Sequence, residues 1–103
     1  MFDLTGKRFL ITGAGSEHGI GFSAATALQK LGASVFLTSL SPRVHERGNE
    51  ILAFSHCADL TKPKEVAELI ALAAEKLGGL DGVINNAGMT SVLHPPTGEF
   101  FSS

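Results

Sequence analysis

The sequence predicts an α/β fold, a doubly wound parallel sheet assembled from βαβ units. Three observations carry that expectation. Short apolar runs alternate with longer stretches whose apolar residues recur at three- and four-residue steps. Glycines punctuate the junctions, with Gly13 after the first run, Gly32 after the first helical stretch and Gly78-Gly79 after the last. The chain is 44% hydrophobic and 17% charged, apolar enough for a core and unlike a disordered polar chain.

The first strand is read from Lys7-Arg8-Phe9-Leu10-Ile11-Thr12, which stops at Gly13. From Gly19 the period changes, and Ile20, Ala24, Ala27, Leu28 and Leu31 fall on one helical face. Gly32 stands where a helix C-terminal glycine belongs. Ser34-Val35-Phe36-Leu37-Thr38 is the second strand, broken by Ser41-Pro42-Arg43, and the stretch to Gly48 is polar loop or a weak helical turn. Ile51-Leu52-Ala53-Phe54-Ser55 is the third strand and leads to Asp59-Leu60-Thr61.

Thr61 suits an N-cap and Pro63 the first helical turn. Val66, Leu69, Ile70, Ala73 and Leu77 then form an amphipathic stripe, with Glu65, Glu68, Glu75 and Lys76 facing away. Gly82-Val83-Ile84-Asn85 is the fourth strand. A loop with Pro95-Pro96 follows, and Thr97-Gly98-Glu99-Phe100 could start another helix.

Composition removes several function classes. Cys57 is the sole cysteine, so no internal disulfide is possible. No apolar run approaches the roughly 18 residues of a membrane span. Met1-Phe2-Asp3 lacks the basic start of a secretory signal, which points to the cytoplasm. A net charge of −2, with eight scattered basic residues, leaves no nucleic-acid footprint. His18, His45, His56 and His94 are far apart and Cys57 has no second thiol, so no metal site is expected. Packing is the expected role of His56 and Cys57, while His94 could touch a substrate from the loop.

The chemistry-bearing segment is Thr12-Gly13-Ala14-Gly15-Ser16-Glu17-His18-Gly19-Ile20-Gly21, which joins the first strand to the first helix. Gly13 permits a tight turn, and Gly19 and Gly21 let backbone approach a ligand closely. Free N–H groups and the positive end of the helix favour an anion such as a pyrophosphate. A glycine turn needed only for packing is the plainer reading. The strand–turn–helix setting inside a βαβ unit favours dinucleotide binding, on a Rossmann-type sheet. No Gly-Lys-Ser/Thr follows, which removes a Walker loop, and His18 stands where a G-x-G-x-x-G pattern needs its third glycine.

Here the chain resembles the short-chain dehydrogenases/reductases. Thr12-Gly13 and Gly19-Ile20-Gly21 match the two ends of that family's Thr-Gly-x-x-x-Gly-x-Gly loop, with five residues between them where the family has three. Asp59-Leu60 stands where the family's Asp meets adenine, and Asn85-Asn86-Ala87-Gly88 matches the Asn-Asn-Ala-Gly motif that braces the sheet and lines the cofactor cleft. That motif argues against the family's enoyl reductase branch. The resemblance implies that Gly13, Ser16, His18, Gly19, Ile20, Gly21, Asp59, Leu60, Asn86, Ala87 and Gly88 hold a nicotinamide dinucleotide. Ser39 and Arg43 complete the set. An acid at Ser39 would favour NAD; Ser39 repels nothing and Arg43 could pair with a 2′-phosphate, so NADP(H) is expected over NAD(H).

The family moves a hydride between nicotinamide and a carbonyl or alcohol, using a Tyr with a Lys four residues later. The chain has no tyrosine, so no catalytic residue is assigned. Residues 1–103 are therefore expected to be the N-terminal, NAD(P)-binding part of a longer single-domain oxidoreductase, truncated after the fourth strand. Alone they would be inactive, and poorly soluble or only partly folded, with that strand a bare edge. The resemblance implies a small carbonyl or acyl-thioester substrate, by default a 3-oxoacyl thioester on acyl-carrier protein, and a homo-oligomeric full-length protein. The alternative is a non-catalytic nucleotide-binding or scaffold fragment.

Overall fold

The computed structural model describes residues 3–15 and 19–85. Its elements are β1 (Arg8–Thr12), α1 (Ile20–Lys30), β2 (Ser34–Ser39), α2 (Val44–Ile51), β3 (Phe54–Cys57), α3 (Pro63–Leu77) and β4 (Gly82–Asn85). The strands form one parallel sheet in the order β3-β2-β1-β4. Leu10 lies opposite Phe36 and Val83, and Ile11 opposite Leu37 and Ile84.

Because side chains alternate along a strand, this register sorts the apolar residues into two layers. Ile11, Val35 and Leu37 pack with Ala25 and Phe22 of α1 and with Val44 and Ile51 of α2. Leu10 and Phe36 face the other way, onto Leu69, Leu72, Ala73 and Leu77 of α3. Helices cover both faces, so the sheet is doubly wound. Each fully buried side chain of this kind contributes on the order of 1.5–3 kcal/mol.

The individual helices correct the sequence reading in informative ways. In α1 the buried residues are Gly21 and Ala25, with Leu28 partly buried, while Ile20 is 66% exposed and Leu31 lies at the surface. The core face is rotated from the expected Ile20–Ala24–Leu31 line, because the smallest residues allow the helix to approach the sheet. At its end, the Ala33 N–H donates to Leu28 O and the Gly32 N–H to Gln29 O, which satisfies two terminal carbonyls.

The stretch read as polar loop or a weak helical turn is the eight-residue helix α2. Its inward positions, Val44, Arg47, Gly48 and Ile51, follow a helical period that an arginine and a glycine conceal. A Cβ on Gly48 would lie 2.8 Å from the Ala53 carbonyl oxygen, so glycine is what lets α2 sit against the following strand. Arg47 is buried, bonds Glu50 Oε2 at 2.7 Å and stands 5.8 Å from the Phe22 ring centroid.

Consequently β3 begins at Phe54, not Ile51. Leu52 caps α2 in the left-handed region, with φ 57°, and is 92% exposed. Strand β3 is half-buried, with Phe54 stacked on Phe36 at 6.3 Å. In α3 the N-cap is Lys62 without a side-chain cap bond, so Thr61 does not cap it. Leu69 and Ala73 are buried, whereas Ile70 of the expected stripe is exposed. The fourth strand matches its expected bounds and ends the described sheet, with Val83 half exposed. At its start, Asp81 Oδ2 accepts hydrogen bonds from Arg8 Nε at 3.1 Å and the Arg8 N–H at 2.8 Å. The Pro95-Pro96 loop and the Thr97–Phe100 helix start lie outside the described residues.

Candidate functional site

Parallel strands point their carboxyl ends to one edge of the sheet, and there the loops diverge. At the end of β1 the chain turns through Gly13, whose φ of +69° is left-handed. The Ala14 N–H still donates to Thr38 O, at 3.2 Å, so the loop stays bound to β2 before leaving the sheet. A Cβ on Gly15 would lie 2.7 Å from Ser39 Oγ and 3.3 Å from Ser39 Cβ. Only glycine permits that approach with the neighbours in place.

Two adjoining clefts open on this edge. The first, about 290 Å³, is lined by Gly13, Gly15, Ser39, Ser41 and Arg43. The Ser41 N–H donates to Ser39 Oγ at 3.2 Å, and the Arg43 N–H to Ser41 Oγ at 3.1 Å, so both hydroxyls are fixed by the turn that starts α2. Arg43 forms no ion pair among the described residues. The lining carries one cation, two hydroxyls and no carboxylate. It suits an anion.

The second cleft, about 270 Å³, is bounded by Gly13, Ser39, Leu40, Ala58, Asp59, Leu60 and Thr61. Leu40, Ala58 and Leu60 give it an apolar wall suited to a ring, and Asp59 brings a carboxylate to the lining. Asp59 Oδ1 accepts from Thr61 Oγ1 at 2.6 Å and from the Thr61 N–H at 3.0 Å. Those two bonds, the hydroxyl first, hold the carboxyl below its usual range; burial opposes them and the Lys62 charge adds a smaller pull. At neutral pH Asp59 is therefore an ionised acceptor, suited to an amino group. The Cys57 thiol donates to Leu40 O at 3.1 Å and ties the cleft's outer wall to β3.

The structure thus brings Gly13, Ser39 and Arg43 together in one cleft, and Gly13, Ser39, Asp59 and Leu60 in the other. Gly19 is the N-cap of α1, Ile20 opens that helix exposed and Gly21 is buried in its first turn, and none of the three lines either cleft. Ser16, His18, Asn86, Ala87 and Gly88 lie outside the described residues, as does His94. Asn85 is described, and its Oδ1 accepts from Thr12 Oγ1 at 2.8 Å, which joins the ends of β1 and β4. His45 Nδ1 meets Ser55 Oγ at 2.7 Å, away from both clefts.

Sequence reading missed Gly15, Leu40, Ser41, Ala58 and Thr61 as lining residues. Ser41 had a signal, a hydroxyl residue directly before a proline in the turn that precedes α2. It also placed Glu65 on a solvent face. In the structure Glu65 Oε1 accepts the Asp59 N–H at 2.8 Å.

A family model described as enoyl-(acyl carrier protein) reductase matches residues 13–101. A D-beta-hydroxybutyrate dehydrogenase of Rhizobium meliloti is 36% identical over 94 residues, covering 84% of this chain and 36% of the relative. The chain belongs to the short-chain dehydrogenase/reductase family. Among solved structures of this family, a short chain dehydrogenase from Mycobacterium smegmatis superposes with a TM-score of 0.76 at 28% identity. It covers 84% of this chain and 40% of that one. A 3-ketoacyl-(acyl-carrier-protein) reductase from Brucella melitensis, complexed with NADH, gives 0.73 at 33% identity, covering 79% and 34%. This short-chain dehydrogenase/reductase chain spans about a third of the length of the curated relatives it matches. The matched model is described by enoyl reduction and the relatives by hydroxybutyrate and 3-ketoacyl chemistry, so the likeness extends across branches of the family.

Proposed function

We propose that this chain is the dinucleotide-binding part of an NAD(P)-dependent oxidoreductase that moves a hydride between nicotinamide and a carbonyl or alcohol. The observation that carries the reading is the pair of adjoining clefts: an apolar slot with an ionised acid in its lining, beside a pocket holding a serine pair and Arg43. That donor set fits an adenosine phosphate, with the base in the slot and its phosphorylated ribose toward Ser39 and Arg43. Gly13, Ser16, His18, Gly19, Ile20 and Gly21 would lie along the diphosphate, and Asn86, Ala87 and Gly88 along the far side of the cofactor. The group supplies the hydride; the residues of this chain bind and orient it.

NADP(H) is favoured over NAD(H), because the pocket next to Ser39 contains no carboxylate and Arg43 is available to a 2′-phosphate. A 3-oxoacyl thioester is the substrate class most in keeping with the family, supported by the likeness to a 3-ketoacyl reductase. The same reading carries a cytoplasmic, homo-oligomeric full-length protein acting on a small molecule, with residues 1–103 the first part of one domain. No helix among the described residues is long and apolar enough to cross a membrane. The 103 residues contain no tyrosine, so they do not supply the family's tyrosine acid/base. By themselves they should bind dinucleotide without turning it over.

Fluorescence titration with NADPH and NADH tests the reading. NADPH should bind about ten-fold more tightly, the scale of one charge-assisted hydrogen bond, and Arg43→Ala should erase the difference. Equal affinities that Arg43→Ala leaves unchanged would sink the NADP assignment, and no binding of either would sink the dinucleotide site.

A further inference from the structure

We propose that Glu65 is a positioning residue for the adenine-facing cleft: it holds the Asp59 main chain so that Asp59 Oδ2 is presented to the exocyclic amino group of a bound adenine. The inference rests on the dinucleotide reading above and adds a residue to it. Glu65 is the third residue of α3, the place from which a glutamate ordinarily reaches back to the N-cap N–H. Here it passes the N-cap, Lys62, and accepts the Asp59 N–H at 2.8 Å, six residues upstream.

That bond completes the restraint of Asp59. Its carbonyl oxygen accepts the Lys62 N–H at 3.1 Å, and its Oδ1 accepts both the Thr61 hydroxyl and the Thr61 N–H. Among the described residues Oδ2 alone is left without a partner. Thr61 fixes the side chain on its backbone, and Glu65 fixes that backbone against α3. Without Glu65 the Asp59 N–H loses its acceptor, and the loop carrying Asp59 and Leu60 can turn away from the slot they line.

The test is the ratio of affinities for NADH or NADPH over the corresponding hypoxanthine dinucleotide, in which a carbonyl oxygen replaces the amino group. It is measured on the full chain, with circular dichroism to establish that each variant is folded. The wild type should prefer adenine by about ten-fold or more, because the analogue sets an acceptor against a carboxylate. Glu65→Ala should reduce the preference to about two-fold or less, as should Asp59→Ala. Glu65→Asp keeps a charge in the first turn of α3 but is too short to reach Asp59, so it should lose the preference too and stands in if the alanine variant does not fold. Glu65→Gln retains an acceptor oxygen and should preserve it. A purely helix-capping role predicts lower stability for Glu65→Ala with an unchanged ratio. That outcome overturns the inference and leaves the dinucleotide reading standing. A wild type that does not distinguish the bases removes the Asp59 contact and the inference with it, and a wild type that binds neither removes the dinucleotide reading as well.

Discussion

Adding one methyl group at Gly15 tests the architecture of the cleft more directly than removing any side chain. The backbone at Gly15 is not among the left-handed positions, so Gly15→Ala changes space and not conformation. The new Cβ would stand 2.7 Å from Ser39 Oγ and 3.3 Å from Ser39 Cβ. Ser39 Oγ must move, and in moving it gives up the Ser41 N–H that it accepts at 3.2 Å. Loss of that hydrogen bond costs about 0.5–1.5 kcal/mol. The remaining crowding adds about 1–3 kcal/mol, as overpacking does elsewhere. A destabilisation of about 2 kcal/mol is therefore expected, read as a lower urea midpoint at constant m-value. Dinucleotide affinity should fall as well, since the wall that moves lines both clefts. Ser39→Ala removes the oxygen responsible for the shortest contact, so the double mutant should recover about 1 kcal/mol relative to additivity. If Gly15→Ala unfolds within about 0.5 kcal/mol of wild type, or shows no coupling to Ser39, the close approach of the two strand ends is wrong.

Three other perturbations read the scaffold. Leu52→Gly relieves a left-handed residue with no buried side chain to lose, and should raise stability by about 0.5–1 kcal/mol in chemical denaturation. Leu69→Ala empties the centre of the α3 layer and should cost about 2–5 kcal/mol by the same measurement. Asp81 has its carboxyl held below the usual range, first by the Arg8 side-chain hydrogen bond and then by the Arg8 N–H. A depressed folded-state value means stabilisation that is present above the unfolded value of about 4 and is lost as pH falls through the folded one. Melting curves from pH 6 down to about pH 2 should show that loss, and Asp81→Asn should flatten it.

Much of the layout was legible because it depends on periodicity. The apolar runs of β1 and β2, the glycines after β1, α1 and α3, and the bounds of β4 follow from residue pattern alone. Where the reading failed, tertiary contacts had reassigned residues whose local character pointed elsewhere. Gly48 looks like a helix breaker until the Ala53 carbonyl beside it is seen, and Arg47 hides an inward position because its charge is taken up by Glu50. Ile20 and Ile70 have the apolar character of core residues, but the helices turn Gly21, Ala25, Leu69 and Ala73 to the sheet instead. At the site, Gly13 and Ser39 could be named from their places at strand ends, Arg43 from its charge four residues beyond Ser39, and Asp59 and Leu60 from the family resemblance. Glu65 could not, because its hydrogen bond skips the position that the helix-start pattern specifies. Gly15 was hidden for a related reason, since it fits against Ser39 across a gap between loops that only the folded chain closes.

The hydrogen bond from Thr12 to Asn85 joins residues 73 apart in the chain, whereas Leu10 and Phe36 pair across a single helix. Closing a loop costs more entropy as it lengthens, by about 0.6 kcal/mol per doubling. Strand β4 therefore gains its partners last on this accounting, and it surrenders them at the lowest free energy. Amides of 82–85 should exchange with solvent sooner than those of β1 and β2, which stay paired to each other when β4 opens. The two clefts, whose linings come from the ends of β1, β2 and β3, would then persist through such openings, and only contacts made by residues that follow β4 would be interrupted.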